Sequence, residues 1–125
     1  MSITENLVSV WCGNFDCEDE LLSYLEMDYS SDKDSYHSQF MQEMAIDWYD
    51  EDFAECGFYD NINHDDIGTM IAEHSYATSF VDELVRDFMS YMPCNSLLLI
   101  YDFDGRAYRN PQAKLQLVGV YVYKK

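Results

Sequence analysis

Positive charge is what this chain has least of. Lys33 and Arg86 are the only bases between Met1 and Asp104, a stretch that holds all 24 Asp and Glu residues and so carries −22. The other five bases fall between Gly105 and Lys125, where there is no acid, and the whole chain is at −17. Such an imbalance excludes direct binding to bare nucleic acid and attraction to an anionic membrane surface. No apolar run approaches the roughly 20 residues that span a bilayer. Met1 to Glu5 has neither a basic n-region nor an apolar h-region, so no signal peptide is expected and the cytoplasm is the expected location. Catalytic signatures are missing too: no Gly-rich phosphate loop, no nucleophile-elbow serine and no His-Glu-x-x-His. The chain does not read as an enzyme, and no cofactor is expected.

What is present is a core. Hydrophobic residues make up 48% and aromatics 16%, which excludes the disorder that so one-sided a charge usually accompanies. Residues 1–125 read as one folded domain, large enough to bury a core without staples. Its electrostatic partner is a cationic protein.

Cys12, Cys17, Cys56 and Cys94 are even in number, but without a secretory signal they read as reduced thiols. Cys12 and Cys17 lack a second ligand pair, so no metal site is expected. Calcium loops fail on the same scrutiny. Asp28 to Gln39 and Asp60 to Ile71 both lack the glycine at position six and the glutamate at position twelve that an EF-hand needs. His37, His64 and His74 are scattered with no nucleophile beside them, and carboxylates are too abundant for any pair to mark a catalytic dyad.

Periodicity gives the elements. Leu7 to Trp11 alternates as a first strand. Asp16 is the expected cap of a helix from Glu18 to about Met27, with Glu18, Asp19 and Glu20 in the turn where the dipole favours acids. Asp28 to Tyr36 is turn-rich, and His37 to Met44 is a short second helix. Asp60 to Asp66 reads as a loop whose last residue caps a short helix ending near His74. Ser79 to about Met92 is the clearest helix, with Phe80, Leu84, Phe88 and Met92 on one face and Pro93 as its stop. Leu97 to Tyr101 is continuously apolar, as a strand covered on both faces is. Ala113 to Tyr123 closes the chain as a strand, with Leu115, Leu117, Tyr121 and Tyr123 on one face and Val118, Val120 and Val122 on the other; Gly119 marks a bulge or close contact. The order implies α+β: a small, largely antiparallel sheet of the N-terminal strand and a C-terminal strand pair, with helices packed on it.

The sharpest local feature is Trp48 to Glu55. Asp50, Glu51, Asp52 and Glu55 lie among Trp48, Tyr49 and Phe53. Carboxylates there can pair with Lys and Arg of a partner while aromatics anchor it. Trp48 and Phe53 alternatively belong to the core, which is the preferred reading for those two. The expected partner-binding set is Asp47, Trp48, Tyr49, Asp50, Glu51, Asp52 and Glu55, with Asp60, Asp65 and Asp66 as a weaker flank.

Five segments together carry a resemblance. Val8 to Phe15 (Val-Ser-Val-Trp-x-Gly-Asn-Phe), Ile46 to Glu55 and His74 to Phe80 (His-Ser-Tyr-x-x-Ser-Phe) resemble the immunity protein 22 family of bacterial polymorphic toxin systems, as do Leu97 to Phe103 and Leu117 to Tyr123. The resemblance implies a cytoplasmic antitoxin that binds a cognate toxin and blocks it. Such systems often neutralise nucleases, and a nuclease is basic because it binds phosphates. A DNA mimic that blocks a DNA-binding enzyme would use the same charge, and a small ligand-binding domain is a third reading. Under every reading crowded carboxylates repel, so stability is expected to rise with salt and as pH falls from 7 toward about 5.

Overall fold

In a computed structural model of the chain, residues 6–27, 38–62, 67–88 and 94–124 are described. Among them are strands β1 (Leu7–Gly13), β2 (Ala54–Ile62), β3 (Cys94–Tyr101) and β4 (Leu115–Val122). The helices are α1 (Glu18–Leu25), α2 (Gln39–Met44), α3 (Ile67–Ile71) and α4 (Val81–Phe88). The strands form one antiparallel sheet in the order β2-β3-β1-β4. The fold is α+β.

The two central strands are apolar on both sides because both faces of the sheet are covered. Val8, Val10, Leu97, Leu99 and Tyr101 lie in one core with Ile67, Ile71, Phe80, Leu84 and Phe88 of the α3–α4 side. Trp11, Leu98 and Ile100 lie in the other, with Leu21 and Tyr24 of α1 and Phe40, Met41 and Met44 of α2. Helices of five to eight residues are too short to persist alone, so burial of these side chains, each about 1.5–3 kcal/mol, is what holds them. Ser9 is a polar residue with 0% exposure inside this sheet. Its hydroxyl donates to the Phe103 carbonyl at 2.7 Å and accepts from the Gly105 N–H at 2.8 Å, so burying it costs little.

Both C-terminal strands join the sheet as expected, with β1 lying between β3 and β4. Several expectations are corrected. A fourth strand, β2, runs through Asp60, where a loop was expected. Its acidic, aromatic sequence has no clear alternation, and it stands at the edge of the sheet, paired with β3. On β4 the pairing shifts between Val10–Gly119 and Trp11–Leu117, leaving Val118 as the extra residue of a bulge. One extra residue flips the alternation. Leu115 and Leu117 therefore share a face with Val120, while Val118, Tyr121 and Tyr123 turn to the α3–α4 side.

Asp16 does not cap α1. Cys17 occupies the cap position in an extended conformation and makes no side-chain cap bond, which leaves Asp16 one residue outside. The acids of the first turn still complement the dipole. Ser38 caps α2, accepting from the Met41 N–H at 3.1 Å. Ala45, at φ 59°, ends that helix in the left-handed region, and the Ile46 N–H bonds the Met41 carbonyl. The clearest helix starts later than its periodicity: a 3₁₀ turn at Ala77–Ser79 precedes α4, while Met89 to Pro93 lie outside the described residues, as does the 28–37 segment.

Candidate partner-binding surface

Residues 46–53 run from the end of α2 to β2 and differ in depth. Ile46 has 0% exposure and Tyr49 4%, so both are core residues. Tyr49 packs edge-on against Phe40 and Phe103 at centroid distances of 6.0 and 6.3 Å. It is not the surface anchor that the sequence implied, because these two rings hold it in the core. Asp47 and Trp48, between Ile46 and Tyr49, are exposed.

Trp48 is 68% exposed and Phe53 50%, which overturns their assignment to the core. Asp50 is half-buried. Its Oδ1 accepts from the Asp52 N–H at 3.0 Å, capping a 3₁₀ turn at Glu51–Phe53. That turn lifts Glu51, Asp52 and Phe53 into solvent. Among the described residues, the ion pairs are Glu55–His74, Asp104–Arg106 and Glu20–Lys114. Asp47, Asp50, Glu51 and Asp52 take part in none of them.

Glu55 behaves differently from its acidic neighbours. At the start of β2 it reaches toward the segment after α3, and its carboxylate accepts from His74 Nδ1 at 3.0 Å, the Ser75 N–H at 3.1 Å and the Ser75 hydroxyl at 2.5 Å. Burial pushes its pKa up, but these bonds and the His74 contact outweigh it and hold the carboxyl below its ordinary value. Glu55 is thus a structural clasp between two elements, its carboxylate engaged within the chain. The Tyr101 hydroxyl donates to the Ser75 carbonyl at 2.7 Å and closes the clasp onto the sheet. On its other side the His74 ring meets the Tyr59 hydroxyl at 3.2 Å, and that hydroxyl is also 3.2 Å from Glu73. Burial, with the charge of Glu73, pushes the Tyr59 phenol up to about 12.

The sequence did not single out Ser75, Tyr59 or Tyr101 for this role, because nothing local links them to Glu55. The grouping is no hydrolytic triad. Ser75 and His74 bond the same carboxylate, so the serine hydroxyl is directed at an acid and not at the imidazole.

The remaining members of the expected set are less informative. The side chain of Asp60 and all of Asp65 and Asp66 lie outside the described structure. Of the paired cysteines, Cys12 is buried beside Cys94, and a hydrogen bond to Cys94 together with burial pushes its thiol pKa up. Cys17 is exposed at the start of α1. Among the described residues no helix is long and apolar enough to cross a membrane, and no group of three or more His, Cys, Asp or Glu side chains is gathered to hold a metal ion.

No curated protein and no solved structure matches this chain. A family does: the sequence model described as immunity protein 22 matches residues 8–124, nearly the whole 125-residue length. That span takes in β1 from Val8 onward, β2, β3, β4, the exposed acidic turn and the Glu55 clasp. The chain belongs to the immunity protein 22 family.

Proposed function

We propose that this protein is a cytoplasmic antitoxin that captures a basic, nuclease-type toxin domain through the acidic surface around Trp48. Family membership supports the immunity role. The observation that carries the site is Trp48, 68% exposed among carboxylates that take part in no ion pair among the described residues. A large aromatic left in water beside such acids matches the anatomy of a binding hot spot: an apolar anchor with a charged rim. Asp47, Glu51 and Asp52 provide the rim, Phe53 extends the anchor, and Tyr49 and Asp50 hold the segment in shape. Asp60, Asp65 and Asp66 remain a proposed flank.

The net charge serves speed. Steering between a −17 protein and a basic partner raises association toward about 10⁸–10⁹ M⁻¹s⁻¹ at low salt, which suits a protein that must reach a nuclease before it cuts. No catalytic step is assigned to any residue; inhibition is by occlusion.

The test is co-expression in bacteria with the toxin domain encoded beside this gene, followed by kinetics of the purified pair. Wild type is expected to rescue growth, with an association rate that falls steeply with salt. An Asp47→Lys, Glu51→Lys, Asp52→Lys variant should lose rescue while melting no lower than wild type. Rescue by that variant, or a salt-independent rate, would move the interface elsewhere. Binding to several unrelated DNA-binding enzymes in place of one toxin would replace immunity with DNA mimicry.

A further inference from the structure

Helix α1 and the acidic turn form two walls of a groove of about 650 Å³, lined by Asp19, Leu22, Leu25, Glu26, Met27 and Glu51. Leu25 and Glu51 also line an adjacent hollow of about 150 Å³ that reaches Cys56 and Leu98 of the sheet. Leu22 is 47% exposed on its wall, one of the few large apolar side chains left in solvent. The groove thus combines apolar side chains with carboxylates, and no lining side chain among the described residues is basic. The last turn of α1 carries no basic residue either, so the negative end of its dipole adds to that negative charge.

We infer that this groove seats a basic amphipathic segment of the toxin. Charge complementarity selects the partner. The aliphatic stems of Lys and Arg lie along Leu22, Leu25 and Met27, and their heads reach Asp19, Glu26 and Glu51. An eight-residue α1 is about 12 Å long, so the groove accommodates two to three turns of helix laid beside it. Glu51 belongs to both surfaces: it is exposed on the Trp48 turn and lines the groove, which makes the two one continuous interface. This inference rests on the immunity reading for the identity of the partner. The shape and charge of the groove do not depend on it.

Cys56 gives a native reporter. It is exposed and lines the hollow, Cys17 is exposed but lines neither cavity, and Cys12 and Cys94 are buried. Iodoacetamide labelling of the intact chain, read by mass spectrometry, reports groove occupancy at Cys56 with Cys17 as internal control. The probes are a synthetic Leu/Arg amphipathic peptide of about four helical turns, a wholly polar peptide of equal charge, and the purified toxin domain. With the amphipathic peptide at about ten times its Kd, mass action leaves about a tenth of the grooves open, so Cys56 labelling should slow about tenfold while Cys17 barely changes.

The polar peptide should protect weakly, and the variant Leu22→Ser, Glu26→Lys, Glu51→Lys should lose protection. All three positions are solvent-exposed, so the variant should fold. Equal protection by both peptides, or none by either, would overturn the groove as an amphipathic seat. A toxin that binds tightly yet leaves Cys56 fully reactive would also overturn it, with the immunity reading intact. A chain that binds no toxin, yet is protected at Cys56 by the amphipathic peptide alone, would sink the immunity reading and leave the groove standing.

Discussion

Replacing Glu55 by Gln tests whether this acid is a clasp or a partner-facing charge. In the wild type three donors converge on the carboxylate: His74 Nδ1, the Ser75 N–H and the Ser75 hydroxyl, at 2.5 to 3.1 Å. The amide keeps the size and one acceptor oxygen but loses the charge. Hydrogen bonds to a charged group contribute about 1.5–3 kcal/mol each and neutral ones about 0.5–1.5, so three weakened bonds come to about 3 kcal/mol. The Glu55 side chain is 34% exposed, and competition from water reduces that to about 2 kcal/mol. For a chain of this size the loss corresponds to a melting temperature lower by roughly 8 °C.

The pH dependence supplies the sign. The folded-state pKa of Glu55 lies below its ordinary 4.5, so its contribution is complete above that value and is lost as pH falls through the lower, folded value. Urea unfolding of wild type and Glu55→Gln should therefore show the full gap at pH 7 and a closing gap below about pH 4. A gap under about 0.5 kcal/mol at pH 7, typical of a plain surface substitution, would refute the clasp, as would a gap that persists undiminished into acid.

Other perturbations separate stability from binding. Trp48→Ala should change unfolding free energy by less than about 0.5 kcal/mol yet weaken toxin binding by about 2 kcal/mol or more, read by calorimetry and melting on the same sample. Gly13→Ala should cost about 2–3 kcal/mol by urea unfolding, because the added Cβ would sit 2.3 Å from the Lys114 carbonyl across the β1–β4 pair. Ala45→Gly should stabilise by about 0.5–1 kcal/mol in the same assay, since Ala45 holds φ 59° at the end of α2. Raising salt from about 0.02 to 0.5 M, which shortens the Debye length from roughly 20 to 4 Å, should raise the melting temperature by relieving repulsion at −17; a steady fall would show that favourable pairing dominates.

The division between what sequence determined and what the tertiary structure decided follows from the range of the forces. Local periodicity sufficed for β1, β3 and α4, because the alternation of Val8 and Val10, the unbroken Leu97 to Tyr101 and the spacing of Phe80, Leu84 and Phe88 each record which faces are buried. Composition likewise sufficed for a folded acidic domain, since charge and apolar content are sums that need no geometry. The acidic segment was legible as a candidate site because its residues are contiguous.

What lay beyond the sequence depends on distant neighbours. Only pairing with β3 makes a strand of the acidic residues after Ala54, and only the insertion of β1 separates β3 from β4. The bulge at Val118 reverses the faces of β4 by one residue, a change that alternation read along a single strand does not reveal. At the site, depth was settled by contacts far away in sequence. Phe40 and Phe103 draw Tyr49 inward, His74 and Ser75 capture Glu55, and with no such partner Trp48 is left in solvent. A residue's chemistry is written at its own position, but its exposure is decided by what the rest of the chain brings against it.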